Sequence, residues 1–374
     1  MRRKIYQELL QWKQRSGESA LLVQGARRVG KSYIVEAFAK AEYKSYILID
    51  FNLVDQPVKE MFEHDLVDLK TFFMKLTTYY GVKLYERESL IIFDEVQLFP
   101  RARSAIKYLV ADGRYDYIET GSLISIRENV KDILIPSEED HVDMYPLDFE
   151  EFLWANGNDT MMDFIRDCYR KKAPLGQALH RKAMDLFRQY LIVGGMPQAV
   201  NAFVKHNDFD EVDRVKRRIL NLYRDDIRKH AKGYEMKVEA IYDEIPSQMK
   251  NQNQHFKLSS LKQGARFDEY KDAMFWLSDA MIVNHCYNAT EPTFGLNLNR
   301  DRTLLKCYMG DTGLLISHAF DENGIVTGEV YKKLLLDKLE VNMGMVMENM
   351  VAQMLTASGH KLYFYSNSSR SDAS

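Results

Sequence analysis

Cysteine is scarce. Cys168, Cys286 and Cys307 are the only three in 374 residues, an odd number, widely spaced and without a C-x-x-C pair. That pattern offers neither a disulfide framework nor a zinc-ligand spacing, and it predicts buried, reduced thiols. Charge of one sign is also lacking, since 51 Lys and Arg stand against 54 Asp and Glu for a formal net charge of -3. No global basic excess marks a nucleic-acid binder, which leaves only a local basic face for that role. Nor does any apolar run approach the roughly 18 residues of a membrane span. The stretch Met1 to Gln14 is charged and amphipathic and lacks the apolar centre of a secretory signal. A cytoplasmic protein with no membrane partner is expected.

What is present is the composition of an ordinary globular protein, 46% hydrophobic and 28% charged, at a length that predicts two to three domains. The chain is organised around Ala20 to Ser32. Leu21, Leu22 and Val23 lead into Gly25, four residues follow, and Gly30, Lys31 and Ser32 complete the phosphate-loop pattern G-x-x-x-x-G-K-S/T. Such a loop wraps a triphosphate with backbone N–H groups, and glycine lets the main chain come close enough. Gly25, Ala26, Arg27, Arg28, Val29, Gly30, Lys31 and Ser32 are therefore the expected ATP-binding residues. Lys31 reaches the β and γ phosphates, the Ser32 hydroxyl holds Mg2+, and the helix that begins there points its positive end at the anion. Arg27 and Arg28 either add positive charge beside the phosphates or face solvent.

Leu90 to Glu95 is an apolar strand that ends in two carboxylates. Asp94 is placed to hold the magnesium, directly or through water, and Glu95 to orient and deprotonate the attacking water. A further apolar strand, Tyr46 to Phe51, lies between the two motifs. That arrangement resembles the division of P-loop NTPases that has an extra strand there and uses a catalytic glutamate. It implies an α/β fold with a parallel sheet of order 5-1-4-3-2. Tyr115 to Ser122 adds a strand with small polar residues at its end. In AAA-type ATPases a polar residue at this place contacts the γ-phosphate or the water, and the resemblance gives that role to Ser122, with Thr120 as the alternative. The expected catalytic set is thus Lys31, Glu95 and Ser122, and the expected metal ligands are Ser32 and Asp94.

His141 to Leu147 reads as the fifth strand, and Asp148 with Glu151 has the spacing of a capping box on the next helix. A composition shift puts the end of the ATPase domain near residue 150. Residues 151–235 read as a helical domain, interrupted by the tight turn Val193 to Pro197. Its helix from Asp210 carries Arg214, Lys216, Arg217, Arg218, Arg224, Arg228 and Lys229, either a solvated face or one that meets phosphates. Residues 236–310 read as helix, short helix (Leu258 to Lys262), helix (Phe267 to Met281) and two strands (Ile282 to Tyr287, Leu304 to Met309), the order of a winged helix. The third helix is rich in acids and poorly suited to a major groove, so packing on protein is expected.

Together GARRVGKS, LIIFDEVQ, ETGSL, MYPLDFEEFL, GGMPQAV and LLKCYMGDTGLL resemble a prokaryotic family of AAA-type ATPases, over nearly the whole chain. The resemblance implies a P-loop module, a helical and winged-helix middle, and a C-terminal domain similar to PD-(D/E)xK nucleases. Within 311–374, Gly344 to Ser358 looks like the first helix of that domain, with Glu348 at the family's helix acid, and Lys361 to Ser366 like the strand after it. The sequence departs from the family there, because the aspartate strand and the E-x-K strand do not follow. Metal-dependent cleavage needs those carboxylates together, so no nuclease activity is expected. The expectation is a Mg-dependent ATPase that couples nucleotide state to interdomain geometry, with DNA, a protein or further copies of the chain as partners. The rivals are a nucleotide-gated DNA-binding or switch protein with little turnover, and a degenerate ATP binder. Arg224 and Arg228 are candidate arginine fingers.

Overall fold

The computed structural model describes residues 1–15, 17–121, 137–250, 255–320 and 343–366. Contacts divide the chain into two compact units, one of residues 2–145 and one that takes in 146–374.

The first unit is built on a five-stranded sheet. In chain order it holds α1 (Ile5–Gln14), β1 (Ala20–Gly25), α2 (Lys31–Glu42), β2 (Ser45–Asp50), α3 (Gln56–Glu60) running into a π turn (Met61–Asp65), α4 (Leu69–Tyr80), β3 (Ser89–Asp94), a 3-10 turn (Val96–Leu98), α5 (Pro100–Asp112), β4 (Asp116–Gly121) and β5 (Glu139–Met144). All neighbours are parallel and the order is β2-β3-β4-β1-β5, the 5-1-4-3-2 arrangement expected from the sequence. Every β3 position is buried, because helices cover both faces of a parallel sheet. The alternation survives inside that run. Ile91 and Phe93 join Ala20, Ile47, Ile49 and Tyr117 against the α4 and α5 side. Leu90 and Ile92 join Leu21, Val23 and Ile118 against α1 and α2, where Leu9, Trp12, Val35 and Phe38 pack.

Ahead of α4 the chain forms α3 and the π turn. Pro57 opens the helix, and Val58, Met61 and Phe62 are buried from it. Asp68 then caps α4 by accepting from the Lys70 and Thr71 amides.

The second unit contains α6 (Phe149–Ala155), α7 (Met161–Lys171), α8 (Gln177–Val193), α9 (Pro197–His206), α10 (Phe209–His230), α11 (Glu235–Lys250), a 3-10 turn (Leu258–Ser260), α12 (Phe267–Asp279), β6 (Val283–Ala289), β7 (Arg300–Met309), α13 (Thr312–Ala319), α14 (Met343–Ala357) and β8 (Leu362–Phe364). The Asp148–Glu151 capping box forms as its spacing predicts. β6 pairs antiparallel with β7 and parallel with β8. Cys168, Cys286 and Cys307 are buried and unbridged.

The GGMP and GDTG segments lock together in this unit. Asp311 caps α13 at the Leu314 amide (2.9 Å) and also accepts the Gly195 N–H. Gly195 in turn accepts the Leu147 amide through its carbonyl (2.7 Å), and the Leu147 carbonyl accepts Tyr190 Oη (2.9 Å). A Cβ on Gly195 would lie 2.0 Å from the Leu147 oxygen, so only glycine fits. The turn expected at Val193 to Pro197 is therefore a joint, with the chain that leaves β5 held in it.

Candidate functional site

The parallel sheet brings the ends of β1, β3 and β4 to one edge, the edge where α/β sheets bind ligands. The loop after β1 closes through Gly30, whose left-handed backbone (φ 100°) lets α2 start at Lys31. Arg28 is also left-handed (φ 69°). Arg27 and Arg28 are exposed, whereas Ala26 and Val29 are buried, so Val29 anchors the loop in the core. Lys31 is only 7% exposed, and its Nζ donates to the carbonyls of Gly25 (2.9 Å) and Ala26 (3.1 Å).

Across the edge, Ser32 Oγ donates to Asp94 Oδ1 at 2.7 Å. Thr120 Oγ1 donates to the same carboxylate oxygen and accepts the Glu95 amide at 3.4 Å. Asp94 is buried at the last position of β3, and Glu95, one residue on, is left-handed (φ 53°) and half-buried. Its carboxylate accepts a hydrogen bond from Gln97 Nε2. A hydroxyl and a carboxylate side by side are hard oxygen donors of the kind Mg2+ takes alongside phosphates, so Ser32 and Asp94 fit that ion. Among the described residues no group of three or more His, Cys, Asp or Glu is placed to hold a metal on its own.

Of the residues expected from sequence, Lys31, Ser32, Asp94 and Glu95 lie on this edge. Ser122 lies outside the described residues. Thr120, its alternative, is the residue bonded to Asp94. The sequence reading missed Arg3 and Gln97. Arg3 is buried, with Nη1 donating to the Val29 carbonyl (3.2 Å) and Nη2 to the Tyr145 carbonyl (2.6 Å), so it braces the loop. An arginine inside a basic N-terminal run gives no signal of that role.

The basic helix α10 is largely engaged. Lys216 is fully buried and donates to the Ile192 carbonyl (2.8 Å), and burial pushes its pKa down to about 8. Arg217 pairs with Asp213 (2.7 Å), Arg224 with Asp243 (3.0 Å) and Arg228 with Glu239 (2.9 Å). Asp268, Glu269 and Asp272 are exposed on α12, which gives that helix an acidic surface. Glu348 accepts Lys306 Nζ (2.8 Å) and Tyr308 Oη (2.6 Å). Burial pushes the Glu348 carboxyl up, but those two bonds outweigh it and leave the pKa below its usual value.

A family profile described as an AAA domain matches residues 17–153, and one described as a domain of unknown function matches 184–323. No curated protein matches in sequence. Among solved structures, a Walker-type ATPase of Pyrococcus abyssi is similar at a TM-score of 0.49 and 13% identity, over 85% of this chain and 95% of that one. The Thermotoga maritima RuvB Holliday junction branch migration motor follows at a TM-score of 0.33 and 13% identity, over 78% and 90%. The Aeropyrum pernix ORC1 protein in complex with DNA gives 0.31 and 9%, over 87% and 94%. No helix among the described residues is long and apolar enough to cross a membrane. The profile match and the strand order agree, and residues 17–153 carry an AAA-type P-loop ATPase fold.

Proposed function

We infer that this chain hydrolyses ATP at the edge formed by β1, β3 and β4. The observation that carries the reading is the Asp94 carboxylate bonded to both Ser32 and Thr120, with Glu95 next in the chain and the Lys31 ammonium on the loop carbonyls. The loop amides and Lys31 bind the β and γ phosphates. Ser32 and Asp94 would hold Mg2+, which when bound neutralises phosphate charge. Glu95 takes a proton from water as the water oxygen bonds to the γ-phosphorus. The bond from that phosphorus to the β,γ-bridging oxygen breaks, leaving ADP and inorganic phosphate. Thr120 fixes Asp94 and the Glu95 backbone, a role distinct from the γ-phosphate or water contact expected of Ser122 or Thr120 from sequence.

The finer part of the proposal is that nucleotide state biases residues 146–374. The segment after β5 enters the second unit at Leu147, which the Gly195 joint holds. DNA binding through α10 is disfavoured by its ion pairs and by the acidic surface of α12.

Single-turnover hydrolysis tests the reading. Glu95→Gln should bind ATP and lose about 100- to 10,000-fold in rate, the usual share of a general base. Lys31→Ala should weaken binding by about 10- to 100-fold, the worth of a charge-assisted hydrogen bond. Equal rates in all three proteins would overturn it.

A further inference from the structure

We propose that Gln97 is the positioning residue for Glu95, setting the direction of the carboxylate that the ATPase reading makes the base. The proposal rests on that reading and adds a residue to it.

The argument starts from the backbone. Glu95 stands in the left-handed region (φ 53°, ψ 45°), which costs a side-chain-bearing residue about 1–2 kcal/mol. Three bonds and one buried side chain hold it there. The Asp94 carbonyl accepts the Phe51 amide (3.0 Å), the Glu95 amide donates to Thr120 Oγ1 (3.4 Å), and the Glu95 carbonyl accepts the Leu98 amide (3.0 Å). Val96 is fully buried in the core on the α5 side. The kink turns the chain out of β3 and into the 3-10 turn, which brings the Gln97 amide back to the carboxylate two residues before it.

Gln97 is 5% exposed, an unusual setting for a primary amide, while Glu95 is half-buried. The immobile partner is therefore the amide, and the carboxylate takes its direction from it. A glutamate has three rotatable side-chain bonds, and ordering it costs about 1.5–2 kcal/mol when nothing else fixes it. An amide donor does so without bringing charge. An Arg or Lys at the same place would orient the carboxylate equally well but would stabilise its ionised form and make it a poorer proton acceptor. The sequence DEVQ thus places a neutral orienting donor where a base must keep its basicity.

The test compares single-turnover rate and equilibrium binding of a fluorescent ATP analogue in the full chain for native, Gln97→Leu, Gln97→Glu, Glu95→Gln and the Glu95→Gln/Gln97→Leu double variant. Gln97→Leu keeps the bulk and removes the donor. It should slow hydrolysis by about 10- to 100-fold, the cost of a reacting group out of place, with the dissociation constant within about twofold of native. The double variant should be no slower than Glu95→Gln alone, because the two residues act as one unit. Gln97→Glu puts a second carboxylate beside the first, so the acid limb of its rate profile should move to higher pH by about one unit. A packing role would move neither that limb nor the rate-to-affinity split. A native rate in Gln97→Leu, a further loss in the double variant, or an unmoved acid limb in Gln97→Glu would each overturn the proposal. If Gln97→Leu fails to fold, the Gln97→Glu profile decides alone. Should Glu95→Gln itself hydrolyse at the native rate, the ATPase assignment of Glu95 falls and this inference with it. If Glu95→Gln is slow and Gln97→Leu is not, only Gln97 falls.

Discussion

His285 is buried in the second unit, on β6, with Phe275 edge-on at 6.2 Å and no hydrogen-bond partner at Nε2 among the described residues. Burial pushes its pKa down to about 4. The unfolded chain binds a proton near pH 6.5 and the folded chain resists until about pH 4, so stability is complete above the first value and is lost as pH falls toward the second. The full loss is about 3 kcal/mol. His285→Phe should flatten that part of the pH dependence, read as the difference between urea unfolding curves of the two proteins at pH 7 and pH 4.5; equal slopes would show that another group carries the acid sensitivity. Glu119 on β4 is the opposite case. Burial first and its neighbour Glu139 second push its carboxyl far above the ordinary carboxylate range, and Glu139 itself lies 2.8 Å from the Arg103 guanidinium. At this scale the sequence was most informative where chemistry demands a residue type at a spacing. Lys31, Ser32, Asp94 and Glu95 were readable because a phosphate loop and a strand ending in two acids admit few substitutes. Ser122 was preferred to Thr120 because a polar residue at the strand's end carries no signal of its partner; Thr120 is the one bonded to Asp94, and Ser122 lies outside the described residues.

Elements were legible in proportion to their apolar periodicity. The strands themselves were legible as short apolar runs separated by helices, whereas their order in the sheet came from the resemblance to P-loop NTPases and not from periodicity. β7 was underestimated. Leu304 to Met309 was expected, but the strand begins at Arg300, and Arg302 and Thr303 are exposed polar residues that carry no hydrophobic signal at a sheet edge. The joint between GGMP and GDTG was read only as a turn, since segments more than a hundred residues apart announce nothing about their contact. That joint makes a sharp prediction. Gly195→Ala places a methyl carbon 2.0 Å from the Leu147 oxygen, and the backbone must shift to admit it. Denaturant unfolding should show a loss of about 1–3 kcal/mol, the usual cost of overpacking. An unchanged midpoint would mean that the joint is far more pliable than its hydrogen bonds imply.

For the whole molecule, the question is whether the first unit speaks to the second. The amides of Leu147 and Gly195 are the natural reporters, each bonded within the joint that receives the chain from β5. Adding Mg-ATP to Glu95→Gln should slow hydrogen exchange across residues 25–32 and also change it at Leu147 and Gly195. Protection confined to residues 25–32 would leave an ATPase whose nucleotide state stays local.

Two of the three cysteines give the molecule a property of their own. Burial pushes the Cys286 thiol up to about 12 and Cys307 higher still, and both sit in the β6–β7 pair. Near neutrality the reactive thiolate is almost absent from that hairpin, and alkylating reagents have no access to it. Each thiol becomes reactive only in the moments when its surroundings open. The rate at which the hairpin consumes such a reagent is therefore a stopwatch for opening of this part of the second unit, built into the chain without a label.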